Sequence, residues 1–241
     1  MKDDSKSKNK YIIFILIGIL IIIGVFLFTT NNINRNNNSP ISYNGNAKTS
    51  TSLMPTTKNI NFEKVAITKN GDFIIKVTNN NSTNVAIYNI VTIFKDSEGN
   101  FMEKVESNCT FACIPANSFT YIYNKSYDRS MAQYDNYEFS CEILDNYNDG
   151  FVYSGIEINA NDTGKQISVT AKNNSGKDLS RCNIVVLFYN SDEIVGISEG
   201  FGYDSIVNGS NYYFNVDYPE DTNYKKIPFD KYEVYYVGAE I

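Results

Sequence analysis

Hydrophobic positions along this chain follow three different rules in succession. From residue 11 to residue 28 they are unbroken, YIIFILIGILIIIGVFLF, and no charged residue intervenes between Tyr11 and Arg35. From residue 31 to about 59 they are sparse, scattered through NNINRNNNSPISYNGNAKTSTSLMPTTKN without a period of 2 or of 3.6. From residue 60 onward they alternate. Phe73, Ile75 and Val77 alternate with Asp72, Ile74, Lys76 and Thr78, and Ile167 and Val169 with Gln166, Ser168 and Thr170. That is the period of a strand with one buried face. Both runs end in turn-forming clusters, Asn79-Asn80-Asn81-Ser82 and Asn173-Asn174-Ser175-Gly176. Longer runs follow at 85–94 and 179–189, apolar at both parities, as expected of strands buried on one face and partly covered on the other.

The alternating region repeats itself. Asn79-Asn80, Ile90-Val91, Phe94 and Ser97 reappear as Asn173-Asn174, Ile184-Val185, Phe188 and Ser191 at a constant shift of about 94 residues. Ile114 and Ser118 answer to Ile206 and Ser210, and Asp135-Asn136-Tyr137-Glu138 to Asp230-Lys231-Tyr232-Glu233. A period of that size is a domain rather than a solenoid unit. Shorter strands are expected near 65–67, 101–105, 119–123 and 137–143, with counterparts near 155–158, 194–198, 211–216 and 232–237. Six or seven strands in roughly 85–90 residues predict an antiparallel β-sandwich in each repeat. The expected class is therefore all-β, with an N-terminal transmembrane helix ahead of two tandem immunoglobulin-like sandwiches. The expected boundaries are 1–10 for a cytoplasmic tail, 11–29 for the membrane span, 30–59 for a flexible stalk, and 60–146 and 147–241 for the two repeats.

The strands Ile90-Val91-Thr92-Ile93-Phe94-Lys95-Asp96 and Ile184-Val185-Val186-Leu187-Phe188-Tyr189-Asn190, each preceded by an Asn-rich turn, resemble those of small immunoglobulin-like modules in bacterial cell-envelope proteins, in particular the FxLYD-type domain. The resemblance covers most of residues 60–241. It implies a sandwich fold and carries over no functional residues.

A run of roughly 18 residues at ~1.5 Å each spans about 27 Å, close to the hydrocarbon core of a bilayer. A cleavable signal peptide would have a shorter apolar stretch ending in small residues. Here Phe28-Thr29-Thr30-Asn31 follows, with no Ala-x-Ala site and no lipidated Cys. An uncleaved anchor is expected. Lys2, Lys6, Lys8 and Lys10 precede the span and Arg35 alone follows soon after, which places the N-terminus in the cytoplasm and the repeats outside the plasma membrane. The stalk composition cannot offset its ordering entropy, and ~30 residues reach about 30 Å. The chain carries a net charge of −6, and its first ten residues are basic, so the outer part is acidic. Nucleic-acid binding is disfavoured on that ground.

Candidate chemistry is thin. The chain has no His, which removes the usual general base and the commonest metal ligand. Patterns of the G-x-S-x-G, H-E-x-x-H and P-loop kind are absent, so neither an enzyme nor a cofactor is expected. Asp145-Asn146-Tyr147-Asn148-Asp149-Gly150 opens like a calcium loop, but Ile156 stands where a bidentate Glu belongs, and an inter-repeat turn is the better reading. Cys109, Cys113 and Cys141 fall in the first repeat and could include one disulfide outside the cell, whereas Cys182 fits a small buried apolar site. Tyr121, Tyr123, Tyr212 and Tyr213 fall on edge-like strands. They are a candidate contact surface for a protein or wall-polymer partner, though Tyr is also simply a favoured strand residue. The expected function is that of a non-enzymatic, membrane-anchored binding or adaptor protein of a bacterial envelope. The alternative is a spacer or assembly subunit with no ligand of its own.

Overall fold

A computed structural model describes residues 55–125, 136–144 and 150–241. The expected membrane span, most of the stalk and nearly all of the calcium-like loop lie outside those residues. Among the described residues no helix is long and apolar enough to cross a membrane. A single 3-10 turn, Thr57–Asn59, leads into strands, and every strand pairing is antiparallel.

The first repeat contains β1 (Ile60–Ile67), β2 (Phe73–Asn79), β3 (Val85–Lys95), β4 (Phe101–Glu106), β5 (Phe111–Ile114), β6 (Ser118–Asn124) and β7 (Asn136–Ile143). One sheet runs β1-β2-β6. In the other, β3 is central, with β7 on one side and β4 and β5 each pairing a different stretch of it. The second repeat contains β8 (Phe151–Val152), β9 (Ile156–Asp162), β10 (Gln166–Asn173), β11 (Arg181–Asn190), β12 (Glu193–Gly202), β13 (Asn211–Asp217) and β14 (Lys231–Glu240), in sheets β9-β10-β13 and β8-β14-β11-β12. The antiparallel sandwich class expected from the alternation is what forms.

The two repeats use the same local device at their Asn-rich turns. Asn79 is fully buried, and its Nδ2 donates to the carbonyl oxygens of Thr83 (2.9 Å) and Ile114 (3.0 Å) while its Oδ1 accepts from the Asn81 N–H (2.9 Å). Asn173, 94 residues on, donates to Lys177 (2.8 Å) and Ile206 (2.9 Å) and accepts from the Ser175 N–H (3.1 Å). One side chain thus bonds carbonyls of two segments at the point where their own pairing, Val85 with Ile114 and Leu179 with Ile206, ends. This is the physical content of the repeated Asn-Asn pair.

Several strands differ from expectation. β1 and β9 are longer than the short apolar segments that mark them, because both are edge strands whose outward residues are polar. β5 was not anticipated as a strand of its own. The segment between β4 and β5, including Asn108 and Cys109, leaves the edge of β3, whereas β12 runs unbroken beside β11.

Each sandwich has apolar side chains between its sheets, but the cores are not separate. Val185, Leu187, Ile197 and Val237, from the second repeat, belong to the same buried cluster as Phe73, Ile75, Phe94 and Ile122 of the first. Their strand neighbours Ile184, Val186 and Phe188 point the other way, into the second sandwich. All seven residues from Cys182 to Phe188 are consequently buried, which explains the run that is apolar at both parities. The seam is tight. A Cβ on Gly238 would lie 2.7 Å from the Phe111 ring, 2.9 Å from Cys113 Sγ and 3.1 Å from the Cys113 backbone nitrogen. Asn183 is buried on the seam-facing parity, and neither its Nδ2 nor its Oδ1 has a hydrogen-bond partner.

Candidate functional site

A cleft of about 650 Å³ opens where the two sandwiches meet. Its first wall is the β1–β2 turn, with Thr68, Asn70 and Asp72, and the end of β6, with Tyr123 and Lys125. Its second is β12 from Val195 to Glu199, together with the end of β13 and the loop after it. Such junctions between domains are common places for ligand sites, and the volume falls in the ~300–1,000 Å³ range usual for them.

Local chemistry shapes both walls. Gly71 takes a positive φ of 90°, closing the β1–β2 turn so that the Asp72 N–H donates to Thr68 Oγ1 (3.0 Å). Opposite, Gly196 sits against Pro219, and a Cβ there would come within 2.3 Å of the Pro219 Cβ. Only glycine lets the loop lie this close to β12. The loop closes on itself through Asp221, whose Oδ1 accepts from the N–H groups of Asn223 (2.7 Å) and Lys225 (3.1 Å). It carries Tyr224, 86% exposed, at its rim.

Two carboxyl groups lie deep. Asp72 is only 6% exposed; Thr68 Oγ1 lies 3.4 Å from its Oδ2, while Oδ1 is buried without a partner. Burial raises its pKa more than nearby Lys125 lowers it. Glu199 is pushed up to about 7 by burial, and Cys109 Sγ lies 3.9 Å from its Oε1 in donating position. Both carboxyls act on the Tyr123 hydroxyl, which burial above all holds well above the usual phenol range and to which Asn108 Nδ2 donates (3.1 Å). Asp217, Glu220 and Asp221 continue the acidic lining outward. Among the described residues no group of three His, Cys, Asp or Glu side chains is placed to hold a metal ion.

Of the residues singled out from sequence, only Tyr123 lines this cleft. Tyr121 is half-buried against the Tyr235 ring, 4.6 Å between centroids. Tyr212 packs on Phe214 and fills the space beside Gly202, while Tyr213 is 65% exposed on the edge strand β13. All four cysteines are free thiols. Cys109 meets Glu199 at the cleft, Cys113 lies in the seam 3.9 Å from the Ala239 carbonyl oxygen, and Cys141 packs against the first core. Asp72 and Glu199 escaped the sequence reading because each looks like one more turn or strand acid. No local signal marks them: Gly196, Gly200 and Gly202 share the other parity of β12, where Gly200 and Gly202 make room for Ile184, Tyr212 and Phe214 of the second sandwich and Gly196 for Pro219.

No family model matches the sequence, and no curated protein matches it. Similar solved structures include the YadV chaperone, 8% identical over 75% of this chain and 92% of that one, with a TM-score of 0.22. A chaperone–tip adhesin complex of CFA/I fimbriae is 12% identical over 73% and 98%, TM-score 0.24. The CsuC–CsuE chaperone–tip adhesion subunit complex of Acinetobacter baumannii is 11% identical over 74% and 92%, TM-score 0.23. At these scores the likeness carries no argument about this chain.

Proposed function

We propose that this chain is a non-enzymatic binding or adaptor protein, held by a single N-terminal span on the outer face of a bacterial plasma membrane, that engages its partner at the cleft between its sandwiches. The carrying observation is the cleft itself, with two carboxyl groups, Asp72 and Glu199, to which no cation among the described residues is ion-paired. In this reading the basic N-terminal flank and the apolar run anchor the chain and the Asn-rich stalk lifts the sandwiches from the bilayer. The sandwiches are read as immunoglobulin-like modules akin to the FxLYD type. The spacer reading draws support from the apolar seam, which would fix the length of the pair.

A photo-cross-linking residue at Tyr224, on the cleft rim, should capture a discrete partner in intact cells. The same residue at Phe101, exposed on β4, should not. Equal capture at both positions, or none at Tyr224, favours the spacer. Protease treatment of protoplasts should remove the sandwiches and leave a membrane fragment of about 3–4 kDa, the size of a protected span. A secreted form beginning near residue 30 would overturn the anchor.

A further inference from the structure

Five carboxyl side chains line the cleft, Asp72, Glu199, Asp217, Glu220 and Asp221, against the single ammonium of Lys125 among its described lining residues. Acid clusters on a surface usually face only water. Here the inner end is different, because Asp72 is more than nine-tenths buried and its Oδ1 has no donor within hydrogen-bond distance, although the Thr68 and Asn70 side chains and Lys125 lie near the group. Leaving a buried carboxyl oxygen without a donor is costly, and natural proteins seldom do so without a reason. Glu199, in the opposite wall, has the Cys109 thiol 3.9 Å from its Oε1 and the Tyr123 hydroxyl beside it, both neutral groups.

The acids do not converge on one point, as a metal site requires. They are strung along the cleft from its floor to its rim, interleaved with the rings of Tyr123, Tyr218 and Tyr224. The chain itself shows what such a ring accepts. The Lys226 ammonium sits 3.4 Å above the centroid of the Tyr218 ring and 4.9 Å from that of Phe229. An alkylammonium offers three N–H donors and a charge that favours both carboxylates and ring faces. A cleft this large has room for several linked groups rather than one ion.

We infer that the cleft binds a lysine-bearing peptide segment of a partner protein, with one ammonium taken between Asp72 and Glu199 beside the Tyr123 hydroxyl. This assignment rests on the binding reading above and names the chemistry of its ligand. The acidic charge of the outer part of the chain draws such a segment in from a distance. Asp72 and Glu199 supply the specific grip, and the rim acids guide the flanking residues.

The test is titration of fluorescein-labelled tetralysine into the full chain in neutral detergent micelles, followed by anisotropy. Saturable one-site binding is expected, weakened at least tenfold by Asp72→Asn combined with Glu199→Gln. Glu138→Gln, on the open face of the first sandwich, should leave it unchanged. Asp217→Asn with Glu220→Gln, both exposed and free of folding risk, should weaken it about two- to fivefold. Absence of saturable binding overturns the assignment, as does equal loss with Glu138→Gln, which would mean general acidity. So does unchanged affinity in both double variants. Tyr224 cross-linking that persists when tetralysine fails to bind or to compete would sink the ligand class while leaving the cleft as a docking site.

Discussion

The outward faces of β3 and β11 sit at equivalent places in the two repeats and have opposite fates. On β11, Leu187 pairs across the sheet with Ile197 and Glu233, and Val185 with Glu199 and Tyr235. On β3, Ile93 pairs with Lys104 and Glu138, and Val91 with Glu106 and Ser140. Asn89 and Asn183 show the same divergence. Asn89 takes a positive φ of 48° at a bulge, is exposed, and donates to Glu142 Oε1 (3.1 Å). Asn183 lies fully buried and unpartnered. The sandwich tolerates either arrangement. What decides is whether another sandwich covers the face, and that is written in a few cross-strand residues, Lys104 against Ile197 above all.

The largest effect expected from breaking this contrast is at its centre. Leu187→Ala should destabilise the full chain by about 2–5 kcal/mol, since it empties a fully buried site. Ile93→Ala, the same position of the first repeat, should cost about 1 kcal/mol or less on its partly solvated face. Urea unfolding in neutral detergent would measure both, and equal costs would mean the seam is not a true core. Dividing the chain near residue 148 sharpens the same point. The second half alone would expose Val185, Leu187, Ile197 and Val237, so it should aggregate or bind an apolar dye more strongly than the intact chain. Two well-behaved halves would instead establish independent domains.

Asn79→Ala and Asn173→Ala should each cost about 1–3 kcal/mol, because each removes a buried side chain that donates to two or more carbonyl oxygens and accepts from a backbone N–H. The two values should agree within about 1 kcal/mol. A large disparity would show that the Asn device has become dispensable in one repeat.

Glu199 adds a pH dependence that its exposed counterpart Glu106 does not share. Burial raises its pKa to about 7, so its unpenalised protonated state holds fully below about 4.5 and is lost as pH rises through 7. Cys109 and Tyr123 face it from the first sandwich, and neither supplies a compensating cation. Discounted for the part solvent reaches, the loss is about 2 kcal/mol. Asp96, Glu142, Asp162 and Glu233, held low by hydrogen bonds, act in the opposite sense at more acid pH. The measurement is therefore the difference between wild type and Glu199→Gln across pH 4–8, and a flat difference would remove the effect. The smallest change should come from Lys95→Ala, whose surface pair with Glu138 is worth at most about 1 kcal/mol in thermal unfolding.

Much of the fold was legible because it is written in local periodicity. The alternations of β2 and β10, the Asn turns and the shift of 94 residues all survive as paired strands and matched hydrogen bonds. The sequence hinted at the seam too, since residues 182–188 leave no parity for water. It could not say what covers the second face. The cleft was illegible for another reason. Its parts come from the 68–72 turn, the end of β6, β12 and the 215–227 loop, segments that only tertiary packing brings together. Tyr121 and Tyr123 read as contact surface, and they do make a contact, with the chain's own second repeat.

Those tyrosines also mark the accepting side of the joint between the repeats. A head-to-tail joint between like units is heterologous, and unless something ends it, it can propagate from copy to copy into an open filament. The accepting side of the joint here includes Ile74, Tyr121 and Tyr123. By strand register the same places in the second repeat hold Ser168, Tyr213 and Asn215, which offer polar groups and one open ring. The donating side of the first repeat carries Lys104, Glu106 and the Lys95–Glu138 pair. Met102, 49% exposed, lies among these charges, so the contrast with the seam is one of degree. Among the described residues the two remaining faces are more polar than the seam, and a further copy would find less apolar surface there than the seam buries.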